Sequence, residues 1–120
     1  MEKNDGTPLI FCGDEIYVTN RDCWDEIVSL TFLNNDGDNI SYTRLAYEDE
    51  IYIEHNDQIN YIYSFYEDVE FVLTESLLSV SVKPKKICNM PTKMEISLNP
   101  KFKNLQEIID ALKAPPKCLP

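Results

Sequence analysis

Between Glu48 and Val82 apolar and polar residues alternate with a period of two through four successive runs, a pattern that predicts two β-hairpins end to end. In the first, Ile51 and Ile53 alternate with Glu50, Tyr52 and Glu54. His55-Asn56-Asp57-Gln58 supplies turn chemistry, because Asn and Asp tolerate left-handed backbone angles. A tight loop at Asn56-Asp57 predicts Glu54 opposite Ile59, Tyr52 opposite Tyr61 and Glu50 opposite Tyr63. One face then carries Ile51, Ile53 and Ile62, and the other Glu50, Tyr52, Glu54, Tyr61 and Tyr63. In the second hairpin a turn at Glu75-Ser76 pairs Leu73 with Leu78, Phe71 with Val80 and Val69 with Val82. Those apolar residues share a face, leaving Glu70, Thr74, Ser79 and Ser81 on the other; a slip of one residue would scramble the sorting.

The rest of the chain fits around this centre. Pro8–Cys12 and Glu15–Thr19 flank Gly13-Asp14 and predict a further hairpin with glycine at its turn. Asp22 is placed to cap a helical turn through Cys23, Trp24, Asp25 and Glu26. Ile27–Leu33 reads as a strand with Val28, Leu30 and Phe32 on one side. The run Asn34–Asn39, with Asp36-Gly37 inside it, is a turn; its oxygen-rich side chains lack the spacing of a calcium loop. The returning strand, Ile40–Tyr47, is expected to place Leu45 opposite Val28 and Thr43 opposite Leu30, with Ile40, Tyr42 and Arg44 on the other face. Lys83-Pro84-Lys85-Lys86 and Pro91 form a connector where regular pairing is not expected and where lysines protect a sheet edge. Lys93–Leu98 is a last strand. Leu105, Ile108, Ile109 and Leu112 then make one apolar stripe of a short helix, with Asn104 and Glu107 as a capping box and Pro115-Pro116 as its stop. A helix this short must dock on the sheet to persist.

The fold class expected is α+β: a mainly antiparallel sheet (curled sheet, half-barrel or sandwich) with a C-terminal helix packed on it. One domain is expected over 1–120, with a frayed tail at 1–7, an acidic β region at 8–82, a basic connector at 83–92, the final strand and helix at 93–114, and a tail at 115–120. No cationic stretch leads into an apolar run near Met1, and no apolar stretch reaches membrane-spanning length. A cytoplasmic protein that does not enter a membrane is the expectation.

Charge changes the picture most. Residues 1–82 hold 18 Asp or Glu against 3 Lys or Arg, whereas residues 83–120 hold 3 against 8. Acidity of this order repels phosphate backbones, so direct nucleic-acid binding is disfavoured, and it speeds encounter with a basic partner. Cys12, Cys23, Cys88 and Cys118 have no zinc-ligand spacing, and reduced thiols are expected, with Cys12 and Cys23 packing as small hydrophobes and Cys118 exposed. No metal and no cofactor are expected. His55, the one histidine, sits beside a predicted turn, and no nucleophile elbow, phosphate loop or metal-protease motif is present. The chain is not expected to be an enzyme.

Five of the seven tyrosines lie between Tyr47 and Tyr66. Tyr52, Tyr61 and Tyr63 are expected to cluster beside Glu50 and Glu54, with Glu48, Asp49, Glu67 and Asp68 gathered at the far end of the same hairpin. Tyrosine gives large contact area at small entropic cost, and carboxylates around it select a cationic partner. These nine residues are the candidate partner-binding site. The competing expectation is that the rings are core, under the helix or a second layer.

A small acidic domain with a Tyr-and-carboxylate face and no catalytic constellation resembles bacterial toxin-immunity proteins of the contact-dependent growth inhibition type, the β-rich rather than the helical kind. The resemblance implies a cognate basic toxin, a nuclease, neutralised by occlusion, with carboxylates standing in for phosphates. Two other readings remain open: a generic acidic interaction adaptor, and a small-molecule-binding β domain whose tyrosines line a pocket.

Overall fold

The computed structural model describes residues 7–20, 27–45 and 47–116, and over these the alternating runs become ten strands and one helix. In order they are β1 (Leu9–Gly13), β2 (Glu15–Asn20), β3 (Ile27–Leu33), β4 (Asn39–Leu45), β5 (Glu50–His55), β6 (Asp57–Phe65), β7 (Val69–Leu73), β8 (Leu77–Val82), β9 (Lys86–Cys88), β10 (Lys93–Leu98) and α1 (Leu105–Leu112). A four-stranded sheet has the order β1-β10-β8-β7 and a six-stranded sheet the order β2-β3-β4-β5-β6-β9. Every pairing is antiparallel except β1 with β10. The fold is thus α+β, two mainly antiparallel sheets that do not close into a barrel, with the helix packed against them.

The sheets bury their apolar faces on one another. Leu30, Phe32, Ile53, Ile62, Met94 and Ile96 are all fully buried, each contributing about 1.5–3 kcal/mol relative to exposure. Phe11 meets His55 of β5, with ring centroids 6.1 Å apart, while Gly13, two residues on, abuts Phe32 of β3. Strand β1 therefore runs across the strands of the larger sheet, as in sandwiches whose corners are made by chains that change sheet. Gly13 and Asp14 are such a corner, and the predicted hairpin of Pro8–Cys12 with Glu15–Thr19 does not form. Its two arms enter different sheets because β1 is drawn to β10 and β2 to β3. A side chain at Gly13 would lie 2.9 Å from the Ser97 carbonyl oxygen, so close approach, not a turn angle, requires the glycine. Cys12, expected inside, is exposed because it alternates outward between Phe11 and Gly13. The predicted turn at Asp22–Glu26, the tail at 1–6, Cys23 and Cys118 lie outside the described residues.

The other three predicted hairpins differ in outcome. β7–β8 has the predicted register, with Leu73, Phe71 and Val69 opposite Leu78, Val80 and Val82. β3–β4 is shifted by one residue: Val28 opposes Arg44, Leu30 opposes Tyr42 and Phe32 opposes Ile40. Asn34 sets this register, its side-chain oxygen accepting the N–H groups of Asp36 and Asp38 while Gly37 turns at φ 88°. The shift places Ile40, Tyr42 and Arg44 on the same face as Phe32, Leu30 and Val28, in the core, where the expected register had them on the opposite face. β5–β6 is shifted by two residues and so keeps its faces. Tyr52 opposes Tyr63, Glu54 opposes Tyr61 and Glu50 opposes Phe65, with a bulge at Glu54/His55 absorbing the difference.

The connector also pairs, contrary to expectation: Lys86–Cys88 adds to Tyr61–Tyr63 as the outermost strand of the larger sheet. Its short length and lysines suit an edge. In α1, Leu105, Ile108, Ile109 and Leu112 are buried as predicted, against β3 and β2. The capping box does not form. Asn104 is left-handed (φ 62°, ψ 22°), so its side chain makes no cap hydrogen bond. The C-terminal end is held instead, with Lys113 Nζ donating to the carbonyls of Tyr66 (2.8 Å) and Val69. Arg44 donates to the carbonyls of Leu112 (2.7 Å) and Ala114, satisfying acceptors that the helix leaves open. No helix among the described residues is long and apolar enough to cross a membrane.

Candidate functional site: an aromatic and carboxylate face

The solvent face of the larger sheet changes character across its width. On β3 and β4 it presents Ser29, Thr31, Ser41 and Thr43; on β5 and β6 it presents Tyr52, Glu54, Tyr61, Tyr63 and Phe65. The division follows from the alternation, since Ile51, Ile53 and Ile62 are wholly buried and drive their neighbours outward. Tyr52 and Tyr61 are half-buried and Tyr63 is 37 % exposed, so the three rings are not core.

These rings touch. Tyr52 lies 4.9 Å from Tyr63 and 6.3 Å from Tyr61 between centroids, and Tyr61 lies 5.7 Å from Tyr63. Contacts of this kind contribute about 0.5–1.5 kcal/mol beyond area burial and hold the rings as a platform. Glu54 is directly across from Tyr61, and its carboxylate neighbours the Tyr52 hydroxyl. Desolvation first, and then hydrogen bonding to Glu54 and its negative charge, push the Tyr52 hydroxyl up to about 12.

Two lysines that sequence reasoning had assigned to edge protection belong to this face. Lys86 is opposite Tyr63 on β9, and its ammonium stands 5.8 Å above the Tyr61 ring. The Lys85 ammonium lies 4.8 Å from the Phe65 ring and forms an ion pair with Glu50. Hydrogen bonding to Glu50 raises the Lys85 pKa. Phe65 was within reach of sequence reasoning, being two residues beyond Tyr63 in the same alternation. Lys86 was not, because its place depends on β9 returning from the other sheet.

The remaining candidates gather at the far end, as expected. The Tyr66 N–H donates to the Asp49 carbonyl at 2.8 Å, which ties the start of β5 to a single 3-10 turn at Tyr66–Asp68. Glu48, Asp49 and Glu67 are exposed there and Asp68 is half-buried. Beneath them Arg44, 3 % exposed, donates through Nε to the Glu48 carbonyl (2.9 Å) and lies 4.4 Å from the Tyr66 ring centroid. Burial lowers the Arg44 pKa, against the opposing influence of Tyr66 and Asp49. The nine candidates thus form two groups, an aromatic platform and an acidic end, with Glu50 between them already paired to Lys85. Among the described residues no three His, Cys, Asp or Glu side chains converge to hold a metal ion. His55 points inward against Phe11, away from the platform.

Comparison with protein-family models, with curated proteins and with solved structures gave no match.

Proposed function

We propose that this chain is a non-catalytic binding protein that captures a basic protein partner on the outer face of β5 and β6. The observation that supports it is the platform itself: three mutually packed tyrosines on an open face, with Glu54 directly across from Tyr61. Rigid aromatic surface of this kind, with one carboxylate beside it and an acidic cluster at the far end of the hairpin, suits a hot spot for arginine and lysine. The resemblance to immunity proteins extends the proposal to a cationic nuclease toxin, whose nucleic-acid surface the carboxylates of Glu48, Asp49, Glu54, Glu67 and Asp68 occlude.

The test is co-purification with the product of the gene immediately upstream, at low and high salt. A complex that loosens with salt, is weakened by Glu54→Lys or Tyr52→Ala, and relieves toxicity of that product in cells is the expected result. A complex indifferent to salt and to both substitutions would sink the proposal and favour an adaptor with a partner of other chemistry. Either variant unfolding the domain would show that these side chains serve the fold.

A further inference from the structure

The platform already contains a cation, and its position defines what the site takes. Lys86 is exposed, comes from an edge strand of three residues, and rests over Tyr61. Glu54, directly across from the same ring, has no ion-pair partner among the described residues. The face therefore holds a ring with a cation above it beside a carboxylate without one. An ammonium is a compact point charge and engages one of these at a time. A guanidinium is planar, stacks on a ring and forks to a carboxylate in the same pose.

We infer, resting on the reading of this face as a partner surface, that Lys86 is a placeholder occupying an arginine site. A partner arginine displaces it, stacking on Tyr61 while bonding Glu54. Lys85 does not take this role, because Glu50 holds it over Phe65. Displacing Lys86 sets a competition that selects a guanidinium over an ammonium, since only the former gains Glu54 while keeping the ring.

The experiment uses the full chain with ring-labelled tyrosine, titrated with octa-arginine and, separately, octa-lysine, while the Tyr52, Tyr61 and Tyr63 ring resonances are followed. Octa-arginine is expected to shift all three and to bind more tightly than octa-lysine. Glu54→Gln is expected to weaken octa-arginine about tenfold, the loss of one charge-assisted pair. Lys86→Ala is expected to tighten it by roughly two- to fivefold, the worth of an exposed cation–ring contact. Because any lost lysine makes the protein more attractive to a cation, Lys93→Ala, on the outer side of the smaller sheet, is the matched control. Ring shifts with equal effects of Lys86→Ala and Lys93→Ala would overturn the placeholder and leave the face intact as a cation site. Octa-arginine binding that leaves all three rings unmoved would overturn both the placeholder and the reading of the face.

Discussion

Tyr42 and Tyr52 sit on adjacent strands of one sheet, on chemically similar stretches, and have opposite fates. Tyr42 is fully buried, edge-on to Phe71 at 5.6 Å, with its hydroxyl 3.4 Å from the Met94 sulfur. Tyr52 faces outward with Tyr61 and Tyr63, its hydroxyl beside Glu54. Ring chemistry does not decide between them; phase does. On β4 the tyrosine falls in the same set as Ile40, opposite Val28, Leu30 and Phe32 across the hairpin, whereas on β5 it falls between isoleucines. The inner row of β3–β4 also carries Arg44, which fastens the helix end, while its serines and threonines face outward. The inner row of β5–β6 holds Ser64 and His55, and its outer row holds the tyrosines with Glu54.

The comparison breaks most severely at Arg44. Arg44→Ala strands the carbonyls of Glu48, Leu112 and Ala114 and removes the guanidinium packed over Tyr66. Loss of about 3–5 kcal/mol is expected, measured by urea denaturation, with the helix end freed. A variant as stable as the wild type would show that the helix is held by its apolar stripe alone. On the other side of the sheet, Tyr61→Ala should cost about 1–3 kcal/mol, the value of its two ring contacts, while removing most partner binding. A cost as large as that at Arg44 would place the outer rings in the fold rather than at an interface.

A gentler way to sharpen the contrast is alkaline titration of the tyrosine rings, followed by their carbon resonances. Tyr52 should ionise at about 12, raised by desolvation and then by Glu54, and Glu54→Gln should bring it back toward the ordinary tyrosine value. Tyr42, raised further by burial alone, should stay protonated through that step and be indifferent to Glu54→Gln. A simultaneous response of both rings would mean that the domain opens before either titrates.

What could be read from the sequence followed the range of the interaction concerned. The β7–β8 register was legible because sorting of Val69, Phe71 and Leu73 against Leu78, Val80 and Val82 and the turn at Glu75-Ser76 agree. The platform was legible despite a wrong register, since an error of two residues in β5–β6 leaves every side chain on its own face. The error of one residue in β3–β4 was not forgiving, and it hid the burial of Tyr42 and Arg44. The β1–β2 corner at Gly13 and the arrival of Lys86 beside Tyr61 were not legible at all. Both arise where the chain changes sheet, and neither local propensity nor alternation carries information about that choice.

The smallest effect concerns His55, the inward residue at the end of β5. Burial against Phe11 lowers its pKa, with Asp38 acting weakly in the other direction. The unfolded chain, with a histidine near the ordinary value of about 6.5, therefore takes up its proton at higher pH than the folded protein. Stability from this site is complete above about 6.5 and is lost as pH falls toward and through the lower folded value. His55→Gln should flatten that part of the profile, so the difference between wild type and variant should shrink as the solution is acidified below about 6.5. Carboxylates titrating in both proteins cancel in this difference, which leaves the histidine alone. A difference that grew on acidification would mean that the attraction of Asp38 outweighs burial at the end of β5.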